Sequence, residues 1–281
     1  FHNQRYRAIT DFGRGFEGCT IFFLLLRLLM FNLEATLFCG QTFAWQKDGS
    51  TYRGVIGRHL VSLDASDPFS TIGSDPFLRR YFDLEYPYEE AEAHLEVLDP
   101  MLGELLLAHR SIHILNQDPW ETTLSFITSQ NNTIKRIRTL LNALRQAYGK
   151  EVAPNHHALP TPDELLRGSS EEKLRALGFG YRAEYLLDAA RKSSLLATVS
   201  DLADEEALQT LRQIHGVGPK VASCILLFAY GRKDVFPIDT WTGRILAHHY
   251  PGKDPSFFSP YGGIAQQHLF YAERRKIGSH W

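Results

Sequence analysis

The stretch that decides the fold is Leu211-Arg212-Gln213-Ile214-His215-Gly216-Val217-Gly218-Pro219-Lys220-Val221-Ala222. Its pattern predicts that one helix ends at His215, that the glycines form a tight turn, and that Pro219 begins the next helix. Two glycines let the backbone approach another molecule closely, and the exposed amides at the start of the second helix favour an anion. A plain helical turn is the alternative. With the full pattern, we expect a hairpin that grips one phosphate without reading sequence, through His215, Gly216, Val217 and Gly218.

Two charged residues near this hairpin are candidates for chemistry. Lys220 falls in the first turn of the second helix, whose positive end disfavours an ammonium, so it is a candidate amine nucleophile and Schiff-base former. By position alone it could equally be one more phosphate contact. Asp239, in Phe236-Pro237-Ile238-Asp239-Thr240-Trp241, is predicted to cap a helix, which favours its ionised form. Beside a lysine, such a carboxylate could accept a proton or stabilise a sugar cation, although a cap alone is the commoner role.

The pattern outside the hairpin predicts an α+β fold, with a small N-terminal antiparallel β-sheet lobe and a mostly helical body that carries the helix-hairpin-helix motif. Residues 31–63 are predicted to be strands, with a turn at Gly57-Arg58. Acid–proline pairs predict helix starts at Asp75-Pro76, Asp99-Pro100 and Asp118-Pro119. Further helices are predicted at 133–148, 171–177, 182–193, 204–214, 219–230, 240–249 and 260–273. With a break near 113–118, we divide the chain into an unassigned extension over 1–29, a β-containing domain over 30–115 and a helical domain over 116–281.

Composition restricts the setting in which the chain works. The chain has 281 residues, 44% hydrophobic and 22% charged, which is typical of a folded protein. The net charge of −2 argues against a nucleic-acid binder, but residues 64–104 carry eleven acids and two arginines (−9), which leaves +7 for the rest. A mildly basic body with an acidic lobe can still bind DNA; an ordinary surface with uneven charge is the alternative. Three cysteines exclude a disulfide framework and four-cysteine metal sites, so a reducing, intracellular setting is expected. The apolar run over 21–31 contains Arg27 and is shorter than the ~20 residues that a bilayer requires, so no membrane association is expected.

Taken together, the hairpin, Lys220 and the Pro-x-Asp segment resemble the helix-hairpin-helix DNA glycosylase superfamily, and the lysine is typical of its bifunctional members. The closer similarity is to the 8-oxoguanine DNA glycosylase/lyases and runs from Phe31 to Phe270. Further motifs that resemble the family's occur in the same order as in the family. The first, Phe31-x-Leu33-Glu34 with Cys39-Gly40-Gln41-Thr42-Phe43-x-Trp45, resembles the first-strand signature. The others are Phe126-Ile127-x-Ser129-x-Asn131-Asn132-x-Ile134-x-Arg136-Ile137, Gly178-Phe179-Gly180-Tyr181-Arg182-Ala183 and Tyr261-x-Gly263-x-Ala265-Gln266-x-x-Leu269-Phe270.

This resemblance implies the catalytic and base-binding roles. Lys220 attacks the sugar C1′, expels the base and forms the imine, while Asp239 stabilises the cationic sugar. The Gly40 carbonyl accepts the N7–H of the oxidised base. Cys224 and Phe270 sandwich the flipped base, and the Gln266 amide reads its Watson–Crick edge. The sequence spacing agrees with these roles. Lys220 and Cys224 are four residues apart, as are Gln266 and Phe270, so each pair shares one helix face.

The resemblance also implies the contacts with the duplex. Asn131 fills the gap left by the flipped base, Tyr181 wedges beside it, and Arg136 and Arg182 hold the orphaned cytosine. The ordinary alternatives are a helix cap for Asn131 and a helix start at Tyr181.

Four positions depart from the family pattern. Ala44 stands where the family usually has arginine, Thr133 replaces a third asparagine and Gln130 replaces a serine. Trp241 stands where relatives carry a histidine near the phosphate.

We therefore expect a monomeric base-excision repair enzyme that acts on double-stranded DNA containing 8-oxoguanine opposite cytosine. We expect no cofactor and no metal, and location in the cytoplasm and nucleoid of a prokaryote or the nucleus of a eukaryote. Two alternatives remain: an alkylated-base (3-methyladenine type) glycosylase, which lacks the catalytic lysine, and a non-catalytic helix-hairpin-helix DNA-binding module, which needs no Lys–Asp pair.

Overall fold

The computed structural model describes residues 31–109 and 111–276. Over these residues the chain is mostly helical, with a three-stranded antiparallel sheet near its N-terminal end, which confirms the predicted fold class. The predicted extension, residues 1–29, and Cys19 lie outside the described residues. None of the described helices is both long and apolar enough to cross a membrane.

The sheet of the first lobe has the order β1 (Trp45–Asp48), β2 (Thr51–Ile56) and β3 (His59–Asp64), and the Gly57-Arg58 turn joins β2 to β3 as predicted. The prediction that all of residues 31–63 are strands is wrong, because Leu33–Phe38 forms a helix, α1. The Asn32 side chain accepts a hydrogen bond from the Ala35 N–H at 3.0 Å and so caps this helix. The segment LEATLF is rich in strong helix formers, and three alternating residues are too few to specify a strand.

Four helices follow the sheet, and the last two of them pack into the core of the helical body rather than under the sheet. They are α2 (Pro68–Ser74), α3 (Pro76–Tyr81), α4 (Tyr88–Leu98) and α5 (Pro100–Ala108). The predicted acid–proline starts are confirmed, since Asp75 caps α3 and Asp99 caps α5 through their side chains. The lobe's core lies under the sheet, where the fully buried Trp45 donates its Nε1–H to the Tyr81 hydroxyl at 3.1 Å.

Residues 111–118, at the predicted break, are neither helix nor strand, and the helical body follows. Asp118 caps its first helix as predicted. The helices are α6 (Pro119–Ser129), α7 (Ile134–Tyr148), α8 (Pro162–Gly168), α9 (Glu171–Ala176), α10 (Arg182–Arg191), α11 (Ser194–Thr198), α12 (Asp204–Leu211), α13 (Pro219–Tyr230), α14 (Thr240–His249) and α15 (Gly262–Lys276). A small hairpin, β4 (Glu151–Ala153) and β5 (His156–His157), and two 3-10 turns, Val199–Asp201 and Pro255–Phe258, lie between them.

The predicted bounds of α13 and α14 agree with the structure, whereas α12 ends at Leu211 rather than at residue 214. Beyond Leu211 the chain tightens into turns, and the His215 N–H bonds to the Asp188 carboxylate of α10 at 2.7 Å instead of continuing the helix. The last helix spans Gly262–Lys276 rather than 260–273. Besides α1, four helices of the described residues were not predicted: α2, α4, α8 and α11.

Candidate active site

One pocket brings together all six residues predicted to perform the chemistry and bind the base. It has a volume of about 680 Å³ including its open mouth. Its walls come from the loop after α1 and from α6, α13, α14 and α15. The six residues are Gly40, Lys220, Cys224, Asp239, Gln266 and Phe270. The faces of α13 and α15, the loop after α1 and the N-cap of α14 thus form a single site, and each i, i+4 pair shares one helix face as predicted.

Lys220 lies on the pocket wall in the first turn of α13. Gly218 caps this helix without a side-chain hydrogen bond, and Pro219 occupies its first position. The Lys220 Nζ lies 5.0 Å from the centre of the Phe126 ring, which stacks on Phe228 at 5.3 Å. An aromatic wall therefore covers one side of the amine, while the other side faces the pocket.

Cys224 follows one turn after Lys220 and is 3% exposed. Burial raises the pKa of its thiol to about 11; the nearby Lys220 lowers that pKa and Asp239 raises it. The thiol therefore stays neutral near pH 7 and presents a small apolar surface to the pocket.

Asp239 caps α14 with one oxygen. Its Oδ1 accepts from the N–H groups of Trp241 at 2.9 Å and Thr242 at 2.8 Å, while the Thr242 hydroxyl accepts from the Asp239 N–H at 2.8 Å. Among residues 31–109 and 111–276, no donor bonds to Oδ2. The cap therefore fixes the carboxylate while one oxygen stays available, so a capping role and a chemical role coexist.

Gly40 lies against Phe270 across the pocket. Its φ is +91°, and a β-carbon there would lie 3.1 Å from Phe270 Cε1. The next residue, Gln41, is fully buried and donates its Nε2–H to the His113 carbonyl at 2.7 Å, while its Oε1 accepts from the Leu115 N–H at 2.8 Å. Gln41 therefore ties the Gly40 loop to the segment that joins the two lobes, a role that sequence reasoning missed.

The residues predicted to contact DNA lie on three neighbouring loops or in the first turns of the helices that follow them. Asn131 is exposed, with φ +45°, on the loop between α6 and α7, and Tyr181 is 44% exposed at the start of α10. Gln130 links these loops to the hairpin, because its Nε2 donates to the Gly216 carbonyl at 3.0 Å and its own carbonyl accepts from Arg182. The departure at Gln130 thus has a structural role that the sequence did not reveal.

Both predicted cytosine-contacting arginines also bond within the protein. Arg182 is 8% exposed, and its guanidinium donates to the carbonyls of Gln130 and Asn131. Arg136 is exposed and donates to the Gly178 carbonyl at 3.3 Å. In this structure the two side chains therefore hold the shape of the loops that carry Asn131 and Tyr181.

The hairpin has the predicted turn, but its two glycines differ in backbone conformation and in the space around them. Gly216 has φ +83°, and a β-carbon there would clash with the Tyr185 ring, which itself contacts the His215 ring at 4.6 Å. Gly218 has φ −83°, and a β-carbon there would meet open space. Gly216 is therefore required by packing, whereas Gly218 leaves the amides at the start of α13 accessible.

Trp241 lies at the pocket edge, close to two arginines. The guanidinium carbons of Arg244 and Arg274 are 5.8 and 6.0 Å from its ring, and Arg274 is also 5.6 Å from the Phe270 ring. Burial lowers the pKa of Arg274, and the nearby Asp239 opposes that shift. Positive charge therefore lies beside the position where relatives carry histidine.

Ala44 lines a second, smaller cavity that also holds two side chains of opposite formal charge. Glu121 of α6 and Arg145 of α7 line it together with Ala44. Burial raises the pKa of Glu121 to about 7, while Arg145 lowers it. An arginine from α7 thus supplies positive charge beside the position where the family usually has its own arginine.

Comparison with known proteins shows which families the chain resembles. Residues 24–123 match the family "8-oxoguanine DNA glycosylase, N-terminal domain", and residues 124–256 match the "HhH-GPD superfamily base excision DNA repair protein" family. The chain is 32% identical to N-glycosylase/DNA lyase OGG1 of Arabidopsis thaliana, over 86% of this chain and 77% of that protein. It is 26% identical to DNA-3-methyladenine glycosylase 2 of Escherichia coli, over 79% and 82%.

A solved structure is similar over most of the chain. It is the Clostridium acetobutylicum 8-oxoguanine glycosylase/lyase in complex with double-stranded DNA containing cytosine opposite 8-oxoguanine. The TM-score is 0.77 at 30% identity, covering 88% of this chain and 93% of that one.

Proposed function

The chain belongs to the 8-oxoguanine DNA glycosylase family of bifunctional N-glycosylase/DNA lyases, and on that premise we propose how its own residues excise 8-oxoguanine from duplex DNA and cleave the abasic strand. One observation carries the assignment of residues: Lys220 and Asp239 line the same pocket as the four proposed base-binding residues. A non-catalytic binding module would need neither this pair nor a base-sized pocket.

In the first step, the unprotonated Lys220 amine attacks C1′ of the lesion nucleotide. A C–N bond forms to the lysine, and the bond from C1′ to the base breaks, so that its electron pair leaves with the base. The base then takes the proton that the new secondary ammonium of Lys220 gives up. Positive charge develops on the sugar as the base departs. Oδ2 of Asp239, fixed by the cap on Oδ1, stabilises this charge electrostatically.

In the second step, the nitrogen lone pair forms a C=N bond to C1′ while the bond from C1′ to O4′ breaks. O4′ takes a proton from solvent, so the sugar ring opens and the lysine adduct becomes a protonated imine. Loss of a C2′ proton and departure of the 3′ phosphate cleave the strand, and water then hydrolyses the imine to release Lys220. The neutral thiol of Cys224 and the ring of Phe270 hold the base meanwhile, and Gly40 supplies a carbonyl for its N7–H.

The duplex lies across the three loops that Gln130 links. Asn131 and Tyr181 enter the gap left by the flipped base, and the hairpin binds a phosphate at the start of α13. We assign 8-oxoguanine opposite cytosine as the substrate. The two proposed domains, 30–115 and 116–281, both contribute to the pocket, the first through Gly40. Since one chain supplies all the proposed site residues, a monomer suffices.

The test compares base release from three duplexes: 8-oxoguanine opposite cytosine, unmodified guanine opposite cytosine, and a 3-methyladenine duplex. We expect release of 8-oxoguanine alone. Preferential release of 3-methyladenine would overturn the assignment and favour the alkylated-base alternative.

A further inference from the structure

Gln267 is a buried amide that lines the pocket next to the proposed base reader, Gln266. Both side chains are almost fully buried, at 3% and 4% exposure. The Gln267 Nε2–H donates to the Gln266 Oε1 at 2.6 Å. The two amides therefore form a short, buried pair whose orientation matters for any base that Gln266 meets.

Their surroundings favour one orientation of the pair. Gln267 Oε1 is fully buried and accepts no hydrogen bond from the described residues. If both amides were turned over, the Gln267 –NH2 group would be buried there instead. An unpaired buried N–H group is rarer in proteins than an unpaired buried carbonyl oxygen, because the oxygen tolerates partial satisfaction better. Gln267 is therefore held as the donor of the pair.

Because Gln267 is the donor of the pair, the orientation in which Gln266 presents its amide to the pocket is also fixed. One lone pair of the Gln266 Oε1 is taken by Gln267, so its amide is held with Nε2 turned away from Gln267. That Nε2 bonds to no acceptor in the described part of the chain and is not among its fully buried, unpaired atoms. Gln266 thus shows the pocket an N–H donor beside the second lone pair of an acceptor oxygen.

This pattern matches one kind of purine edge. A guanine-type edge carries an acceptor at O6 next to a donor at N1–H, which pairs with Nε2–H and Oε1 respectively. An adenine-type edge carries a 6-amino donor next to an acceptor at N1. To pair with it Gln266 must turn over, which breaks its bond with Gln267 and sets two –NH2 groups against each other.

We propose that Gln267 is a positioning residue that locks Gln266 in the orientation that reads guanine-type bases and rejects adenine-type bases. The proposal rests on the proposed function, since it assumes that Gln266 meets the flipped base. It assigns discrimination at the 6-position to this chain's own glutamine pair, separately from the recognition of N7–H by Gly40.

The test uses 8-oxoguanine and 8-oxoadenine, each placed opposite cytosine. Both lesions carry the N7–H and the C8 carbonyl, and they differ at the Watson–Crick edge. Single-turnover excision rates would be measured for the full chain, for Gln267→Met and for Gln209→Met. The control loses one amide hydrogen bond of the same kind, to Glu205 at 3.1 Å, on the exposed surface of α12.

We expect the ratio of 8-oxoguanine to 8-oxoadenine excision to fall at least ~5-fold in Gln267→Met, the scale of one net hydrogen bond, and to stay unchanged in Gln209→Met. Borohydride trapping on a preformed abasic site, where no base is present, should stay at the parent rate, which shows that the pocket is folded. Should methionine impair folding, Gln267→Glu at a pH where the carboxylate is ionised gives the same test. An ionised glutamate can only accept hydrogen bonds and cannot donate to the Gln266 Oε1, so the excision ratio should also fall.

An unchanged ratio of 8-oxoguanine to 8-oxoadenine excision in both Gln267 variants would overturn the proposal that Gln267 fixes the orientation of Gln266. A parent protein that releases no 8-oxoguanine would instead overturn the proposed function, so the two failures are distinguishable.

Discussion

Replacing Asp239 by asparagine separates the two roles that the structure gives this residue. Oδ1 carries the cap, accepting from Trp241 and Thr242 at 2.9 and 2.8 Å, and the asparagine carbonyl can accept the same two bonds. Asparagine and aspartate are equally good N-caps, so the free energy of unfolding should change by less than about 0.5 kcal/mol. The negative charge that faces the developing sugar cation is lost. A preorganised electrostatic contact of this kind contributes about 3–4 kcal/mol, so we expect a ~10²–10³-fold slower base release.

The assay is single-turnover release of 8-oxoguanine, with thermal unfolding measured on the same preparations. Asp239→Ala serves as the comparison, because it removes both the charge and the cap and should also lose about 1 kcal/mol of stability. Parent-like base release by a folded Asp239→Asn protein would refute the reasoning, since it would reduce Asp239 to a helix cap.

Two further predictions test the base slot and the Glu121 carboxyl group. Gly40→Ala must adopt φ near +91° and place its β-carbon 3.1 Å from Phe270, so we expect about 1–2 kcal/mol of strain and a larger loss in lesion excision than in affinity for undamaged duplex; equal losses in both measurements would contradict the proposed slot. Burial raises the pKa of Glu121 to about 7, above its ordinary 4.5. The folded state therefore holds a proton that the unfolded chain releases. We expect this group's contribution to the free energy of unfolding to be complete below about pH 4.5 and to be lost as pH rises through 7. Urea unfolding at about pH 5 and about pH 8 should show a difference of at most about 3 kcal/mol that Glu121→Gln abolishes, and an unchanged pH dependence in that variant would exclude Glu121 as its source.

Local signals accounted for most of the fold. Proline and acid pairs predicted the starts of α3, α5 and α6, and the Gly218-Pro219 and Asp239 signals placed α13 and α14. Where the prediction failed, a stronger local signal was present but unused. Asn32 followed by LEATLF is a capped helix start, whereas Phe31-Asn32-Leu33 alternates over only three residues.

The site was predictable as far as its residues share helix faces or family motifs. All six proposed catalytic and base-binding residues line one pocket. What the sequence could not supply is the set of long-range partners. Gln41 bonds to carbonyl and amide groups more than 70 residues away, and Arg182 bonds to a carbonyl 52 residues away. Such contacts depend on tertiary packing, which leaves no mark at a fixed spacing. Gln267 occupies an unspecified position of its motif, so only the structure shows its bond to Gln266.

The most direct test of the central claim is borohydride trapping on a duplex that contains 8-oxoguanine opposite cytosine. Reduction of the imine between Lys220 and C1′ gives a stable protein–DNA adduct, which is resolved by denaturing electrophoresis and mapped by peptide sequencing. We expect the adduct to map to Lys220. We also expect Lys220→Gln to abolish it while duplex binding persists, because the pocket's other contacts remain. An adduct that forms at the parent rate in Lys220→Gln would contradict the account, since another amine would then be the nucleophile.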